Sequence, residues 1–404
     1  MTLTAADVAT PVASYARRFH ASAGARHHVG SPLGAWLLLA LCATPSEGKN
    51  REILNGVLGC DAADAAGLAA GLLARPDPQV PAAAAVWHRP GRLTDVVTRW
   101  LAGLPPQVRT GPLTSQADLD DWARDGTLGL IERFPVALDP SLYLLAATVL
   151  AARVSWERPF DLAPASELGS SSPWSGTLGQ VLRTPDGPGH QQFVASTQAA
   201  GDVAVHAARA RGGLQVISVA AAPGVPPADV LAAAYDLGPA LVTGRTGVGR
   251  TVARRSLFDL PLGEGPLWAV TERTGPVQSA GGREERCTAV LPAWSARSQF
   301  DLSDPGLGFA AAAAALAPSD PWQARQAAMA RYSRVGFEAA AVSALAVSMA
   351  ARPSRPGLIR TAELRFGHPF AVVAVAAGDP SGDPGPWHGL PVFSAWVAQP
   401  EDAA

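Results

Sequence analysis

Few residue groups in this sequence are spaced for chemistry. Gly244-Arg-Thr-Gly-Val-Gly249-Arg250-Thr251 follows an apolar PALVT segment and copies the phosphate-binding spacing G-x-x-x-x-G-K-[ST]. Glycine-rich backbone amides at that spacing can cradle a phosphate. Arg250, however, replaces the lysine that reaches the terminal phosphates. No βαβ framework leads into the loop, and no second acidic motif offers a magnesium site. A Gly-rich hairpin turn in a barrel is the expectation; a nucleotide-binding enzyme using residues 244–251 is the remote alternative. No G-x-S-x-G or H-E-x-x-H motif occurs. Asp120-Asp121 and Glu284-Glu285 are sequence neighbours, so on a helix or strand their carboxylates point apart and read as solvated charges. His27 and His28 read as two solvated side chains. Cys42, Cys60 and Cys287 are far apart and give neither a disulfide framework nor a zinc spacing. They are expected to act as small apolar residues.

A different kind of chemistry is written in residues 335–351. After Glu338 there is no charge, no Gly and no Pro until Arg352 and Pro353. Ala339, Ala341, Ser343, Leu345 and Val347 alternate with Ala340, Val342, Ala344, Ala346 and Ser348. Alanine favours helix. Nothing in the segment is too large or too charged for a strand buried on both faces. A segment with two acceptable homes suits a conformational switch.

The elements that must hold such a switch follow from pattern. The 404 residues, 48% apolar, can bury a large core, and length alone would favour two or three domains. The formal charge of −2 supplies no basic field for nucleic acid. The longest apolar run, Leu33 to Thr44, is too short to span a bilayer and reads as a buried helix. No secretory signal is visible, so a cytoplasmic protein is expected, with an extracellular one as the alternative. Helices are expected over 4–22, with Arg17, Arg18 and His20 outward, over 33–43 with Ser31 as cap and Pro32 at its first position, from Ser46 to about 60, and over 64–74. Residues 83–89 read as strand, 91–111 as helix, and 115–132 as a Ser-capped helix burying Leu119, Trp122 and Ala123. The run 141–154 is a buried strand or helix, and its polar ending favours strand. Between 220 and 286 no motif can be placed.

The landmarks carry a family resemblance. Ser31-Pro32 with the apolar helix and Gly48-Lys49-Asn50-Arg51-Glu52 resembles the second and third helices of serpins. Leu119, Trp122, Thr127, Gly129 and Ile131 fall where that family writes Asn-x-Trp-Val…Thr-x-Gly-x-Ile, with Asp120 in place of Asn. Trp156, Pro159 and Phe160 match the end of its central strand; Thr148 replaces an Asn and Val154 a Gly. Leu291-Pro292-Ala293-Trp294, Phe300-Asp301-Leu302, His368-Pro369-Phe370 and Val392-Phe393…Val397-Ala398-Gln399-Pro400 follow in the family's order. Gly336, Glu338 and Ala339-Ala340-Ala341 are similar to its hinge, Gly-Thr-Glu-Ala-Ala-Ala. No single landmark is specific; their order and the hinge are.

The resemblance implies an α+β serpin fold in one domain, 1–404: N-terminal helices, a large central β-sheet, barrel-like sheets and an exposed reactive-centre loop at about 336–358. It implies a monomeric inhibitor of serine proteases, not an enzyme, needing no catalytic residue, metal or cofactor. A protease cuts the loop, and the hinge side, Gly336 to Ala341 onward, inserts as a strand and strands the acyl-enzyme. The family's spacing from Gly336 puts the reactive bond at Ala350–Ala351, beside Met349. Arg352 and Arg355 precede Pro353 and Pro356, which disfavours cleavage there, so elastase-like or subtilisin-like targets are expected. The resemblance assigns Ser31, Thr148 and Trp156 to the shutter and breach that sheet opening must pass. Several departures are expected to weaken inhibition: Phe337 for a small hydroxyl residue, Tyr332-Ser333-Arg334-Val335 for the usual acidic run, and Gly34 for Ser, Thr148 for Asn and Gln326 for His, each of these last removing or weakening a buried hydrogen bond. A non-inhibitory serpin acting as a binding protein is the main alternative.

Overall fold

The computed structural model describes residues 5–403 apart from 81, 92, 128, 130, 135, 136, 140, 151–153, 245–251, 280, 338–354 and 379–384. Glu338, Ala339, Ala340, Ala341, Met349, Ala350 and Ala351 therefore lie outside the described residues, as does the 245–251 loop.

The N-terminal part is helical. Helix α1 (Ala5–Ala23) leads through strand β1 (His28–Gly30) to α2 (Pro32–Ala43), α3 (Gly48–Leu58) and α4 (Ala62–Ala74). Every residue of α2 is buried. That requires the apolar side chains found all round it, as in a core helix rather than an amphipathic one. Gly30 before α2 has no room for a Cβ, which would stand 2.5 Å from the Phe19 ring. Buried indoles complete helix ends: Trp36 donates to the Leu58 carbonyl, Trp100 to Leu41 and Trp387 to Arg75, at 3.0, 2.9 and 2.9 Å. These carbonyls lie at or near C-terminal turns, where intrahelical partners run out.

Next come β2 (Ala82–His88), α5 (Asp95–Ala102), β3 (Val108–Pro112), α6 (Gln116–Gly126), β4 (Leu144–Leu150) and β5 (Val154–Ser155). The expected long helix over 91–111 is thus a short helix, capped by Thr94, followed by a strand. Pro105-Pro106 breaks it, since proline cannot donate within a helix and restricts the residue before it. Within the run 141–154, Leu144–Leu150 is strand, and it is buried on both faces. Its even residues Leu144 and Ala146 join the main core beside α2. Its odd residues Leu145, Ala147 and Val149 pack under α6 with Trp87, Trp122 and Phe134. Double burial explains why its sequence lacks alternation.

The remaining strands are β6 (Asp161–Pro164), β7 (Gln180–Arg183), β8 (His190–Thr197), β9 (Gly201–Arg209), β10 (Leu214–Ala221), β11 (Gly263–Glu264), β12 (Trp268–Val277), β13 (Arg283–Leu291), β14 (Trp294–Asp301), β15 (Trp322–Tyr332), β16 (Gly336–Phe337), β17 (Arg355–Arg365), β18 (Phe370–Ala376) and β19 (Pro391–Val397). Helix α7 (Pro227–Thr243) follows β10, and α8 (Phe309–Leu316) precedes β15. Two six-stranded sheets run β1-β19-β18-β10-β9-β8 and β11-β12-β17-β13-β7-β6. A seven-stranded central sheet runs β3-β2-β4-β15-β16-β5, with β14 paired to β15. The expected α+β architecture is present; among the described residues none of the sheets closes into a barrel.

Three expectations need correction. Gly244 ends helix α7 in a left-handed C-cap at φ 68°, so the glycine-rich loop follows a helix and not a strand. The negative end of that helix would face a phosphate, which is the wrong polarity for a nucleotide site. The reactive-loop range 336–358 is too wide, because Gly336–Phe337 and Arg355–Arg365 are already strands. His20 and His28 are buried, and half-buried His27 binds the Ser295 carbonyl at 2.8 Å. None of the three is a free surface imidazole.

His20 and His28 form an ordered chain of hydrogen bonds. His28 Nδ1 meets the Arg26 carbonyl at 2.7 Å and must carry its proton there. His28 Nε2 therefore accepts from His20 Nδ1 at 2.8 Å. His20 Nε2 is then left to accept from Ser394 Oγ at 2.7 Å, and Tyr235 completes the chain at 2.8 Å from Ser394. Both rings are neutral in this arrangement. Burial, then the neighbouring His28, holds the His20 pKa well below its usual 6.5; burial first also lowers His28. The unfolded chain takes up protons below about pH 6.5, while the folded chain resists them. Stability is thus full above that pH and falls as the pH drops, by up to about 1.4 kcal/mol per pH unit for each histidine kept neutral. Urea denaturation at pH 7.5 and 5.5 should show a clearly lower midpoint at 5.5. Equal midpoints would show that these rings protonate without leaving the fold.

Candidate functional site

Sequence reasoning singled out Ser31 and Thr148, and the structure brings them together with Gln326. Ser31 caps α2: its Oγ accepts from Gly34 N–H at 3.0 Å and donates to the Val392 carbonyl of β19 at 2.7 Å. The Gln326 amide grips the Ser31 backbone from both sides. Ser31 N–H donates to Gln326 Oε1, and Gln326 Nε2 donates to the Ser31 carbonyl, each at 2.8 Å. Thr148 Oγ1 donates to the Gly34 carbonyl at 3.0 Å. All three side chains are buried. The expectation that Thr148 and Gln326 would leave buried bonds unmade is therefore corrected: each side chain is hydrogen-bonded. A glutamine offers a donor and an acceptor from one planar group, and that matches the N–H and C=O of a single residue.

This cluster sits where the central sheet begins to split. Strands β4 and β15 pair in parallel from Leu144/Trp322 to Thr148/Gln326, and the described ladder stops there. Residues Ala327–Arg331 of β15 pair only with β14, on the other edge, among the described residues. Six residues past the last rung, Tyr332 and Val154 do not pair with each other. Both pair antiparallel with Phe337, which lies between them, and Gly336 faces Ser155. The short strand β16 is a wedge between two halves of the sheet.

The backbone reaches β16 through a tight turn. Ser333 N–H and Ser333 Oγ both donate to the Gly336 carbonyl at 3.0 Å. Trp156 secures the turn from the β5 side. Its indole N–H donates to the Ser333 carbonyl at 2.9 Å and its backbone N–H to the Val335 carbonyl at 3.1 Å. Phe160 N–H donates to the Arg334 carbonyl, and Arg334 Nε returns a bond to the Phe160 carbonyl at 3.0 Å. Beneath the turn, Tyr332 packs on Trp156, Phe160 and Trp294, with ring centroids 5.0, 5.7 and 6.0 Å apart. The Tyr332 hydroxyl is buried with no hydrogen-bond partner among the described residues, and burial raises its pKa well above 10.

Sequence reasoning missed the histidines behind this cluster. Phe160 stacks edge-on against His190, at 4.6 Å between centroids. His190 Nε2 donates to the Arg158 carbonyl at 2.8 Å, so His190 Nδ1 accepts from His206 Nε2 at 3.1 Å. Burial, then the adjacent His190, keeps the His206 pKa well below 6.5. The two residues are 16 apart in sequence, on neighbouring strands, so no spacing rule joins them. Only the polar residue His206 within apolar VAVHAA could have flagged the site. Among the described residues, no group of three or more His, Cys, Asp or Glu is disposed to hold a metal.

A sheet parted by a two-residue wedge, a helix cap bolted to the last closed rung, and an indole over the turn together form one recognisable architecture. Comparison with solved structures agrees. Human thyroxine-binding globulin, solved with thyroxine, matches at a TM-score of 0.63 and 12% identity, over 98% of this chain and 99% of that one. Tengpin, a thermophilic serpin in its native state, matches at 0.62 and 10%, over 96% and 93%. Serpin48 of the insect Tenebrio molitor matches at 0.59 and 13%, over 98% and 97%. The chain has the serpin fold. No protein-family model matches the sequence, and no curated protein does. At these identities the likeness is one of fold.

Replacing Gln326 by Leu would leave the buried Ser31 N–H without a partner. The expected loss of stability is about 1–3 kcal/mol, read from urea denaturation. An unchanged midpoint would show that the amide clamp contributes nothing net.

Proposed function

We propose that the chain is a serine protease inhibitor that acts as a suicide substrate, cut near Ala350–Ala351. The observation that supports this is Phe337, paired on one side with Tyr332 and on the other with Val154, above the stretch Ala327–Arg331 of β15 that among the described residues pairs only with β14. Both sheet halves already hold the first rung of an additional antiparallel strand. Continuing that register would bring Ala339 opposite Ala330, Ala341 opposite Ala328, and Ser343 opposite both Gln326 and Thr148. The β15 partners are buried, so the arriving side chains must be small and uncharged. The sequence meets that requirement. To pass Ser343 the strand would have to part β4 from β15 at the shutter, so the Gln326–Ser31 clamp would control how far insertion proceeds.

Chemically, the protease serine Oγ would add to the Ala350 carbonyl, the Ala350–Ala351 bond would break, and the amine of Ala351 would leave with a proton. Ala350 would remain esterified to the enzyme. Insertion would gain main-chain hydrogen bonds and burial and would carry that ester away from a working active site. Small-residue or apolar pockets, elastase-like or subtilisin-like, suit Met349-Ala350. The chain would work as a monomer, without metal or cofactor.

The second reading is a non-inhibitory binding protein, favoured by Phe337. A phenylalanine where strands normally close over a hydroxyl can cost about 1–3 kcal/mol in overpacking. That cost would slow insertion relative to ester hydrolysis. Thyroxine-binding globulin shows that the fold can carry a small ligand.

Mixing with elastase or subtilisin should give a complex that survives SDS. Clean cleavage near residue 350 with no complex would overturn inhibition. The cut chain should also melt at a higher temperature than the intact one. Replacing Phe337 by Thr should raise the fraction of complex over cleaved product; an unchanged fraction would show that the ring is accommodated.

A further inference from the structure

A cleft of about 430 Å³ opens on the outer face of the central sheet, just beyond the last closed rung. One wall is the β14–β15 ladder, with Arg297, Gln299 and Met329 facing it. The other wall is the segment after α6, with Ile131, Glu132 and Arg133. The two walls belong to different halves of the sheet. Ile131 N–H donates to Thr127 Oγ1 and Phe134 N–H to Asp120 Oδ1, at 3.0 and 2.9 Å, which ties the segment to α6. Phe134 then packs with Trp122 of α6, Trp87 of β2 and Leu145 of β4. Arg297 belongs to the opposite half, its Nη2 lying 3.4 Å from Met329 Sδ.

The lining has a definite chemistry. Arg133 and Arg297 against Glu132 leave a formal charge of 2 − 1 = +1. None of the three forms a salt bridge among the described residues; the nearest carboxylate on β14, Asp301, is held by Arg325 at 2.7 Å. Ile131, Met329 and Ala327 supply apolar surface beside the charge. A cleft of this size accepts a small molecule, and guanidinium groups bind carboxylate or sulfonate oxygens in a forked geometry.

We propose that the cleft binds a monoanion carried on an apolar body, a carboxylate- or sulfonate-bearing amphiphile, and that occupancy latches the two sheet halves together. The latch rests on the insertion reading above; the anion site does not. A ligand touching both walls binds the sheet at its present spacing in preference to one spread further by an inserted strand, and it must therefore oppose strand insertion by the same factor.

The test uses the intact chain, with 8-anilinonaphthalene-1-sulfonate followed by fluorescence and dodecanoate as competitor. Saturable binding is expected, about tenfold weaker in Arg297→Gln and in Arg133→Gln and tighter in Glu132→Gln. The opposite signs separate this cleft from dye adhering to apolar surface. Equal affinities in all four proteins, or no saturation, would overturn the site. The same titration on chain cut near Ala350, with its melting temperature measured alongside, tests the latch. Loss of binding with a raised melting temperature supports it. Binding retained by a chain that has gained stability overturns it. A cut chain that gains no stability overturns insertion and the latch with it, and leaves the anion site standing on the intact-chain titration.

Discussion

The Gln326 amide joins the parts of this molecule that would otherwise be free to separate. It belongs to β15, yet both its polar atoms are spent on the backbone of Ser31, the cap of the buried helix α2. Ser31 is in turn bonded to β19, and Thr148 brings β4 to the same helix at Gly34. Four elements meet at one buried polar knot inside an apolar core. Such knots are costly when half satisfied and specify a single arrangement when complete. Below the knot β4 and β15 are paired; above it they diverge around β16. The position of the knot sets how much of the sheet is closed.

The upper end of the gap is held by different means. Aromatic rings fill the space under the turn, and Trp156 spends both its indole and backbone N–H groups on the turn carbonyls. Among the described residues, the only strand pairing across the gap there is the wedge itself. One end of the split is thus closed by hydrogen-bonded polar groups and the other by ring packing. Each end also has a pair of neutral histidines within a few residues. His20 and His28 lie behind Ser394 of β19, and His190 and His206 behind Phe160. In both pairs a backbone carbonyl fixes the outer tautomer and so dictates the inner bond. Proton placement is then a consequence of the backbone.

Much of this was legible in residue order. Ser31-Pro32 ahead of a wholly apolar run announces a capped core helix. Ser115 ahead of Leu119 and Trp122 announces an amphipathic one. The tryptophan and phenylalanine that follow 148–154 mark the top of a central strand. The misjudged places share a cause. Residues 91–111 satisfy helical spacing, but Pro105-Pro106 and sheet pairing to β2 turn the second half into strand. His20 and His28 look like surface residues because a polar side chain ordinarily is one, and only partners 374 and 8 residues away make their burial tolerable. Gln326 looks like a defect until its amide is seen against Ser31, 295 residues earlier.

By itself the sequence determined the N-terminal helices, the identity of the core helix and the existence of one small-residue stretch able to enter a sheet. These rest on local propensity and periodicity, which act within a few residues of the chain. Only the tertiary structure decided where the sheet is closed, that Phe337 already pairs on both sides, and that departures at 148 and 326 keep their hydrogen bonds. Those depend on which distant backbone groups meet in the absence of water. A buried donor takes whatever acceptor the fold brings to it, and no spacing along the chain encodes that meeting.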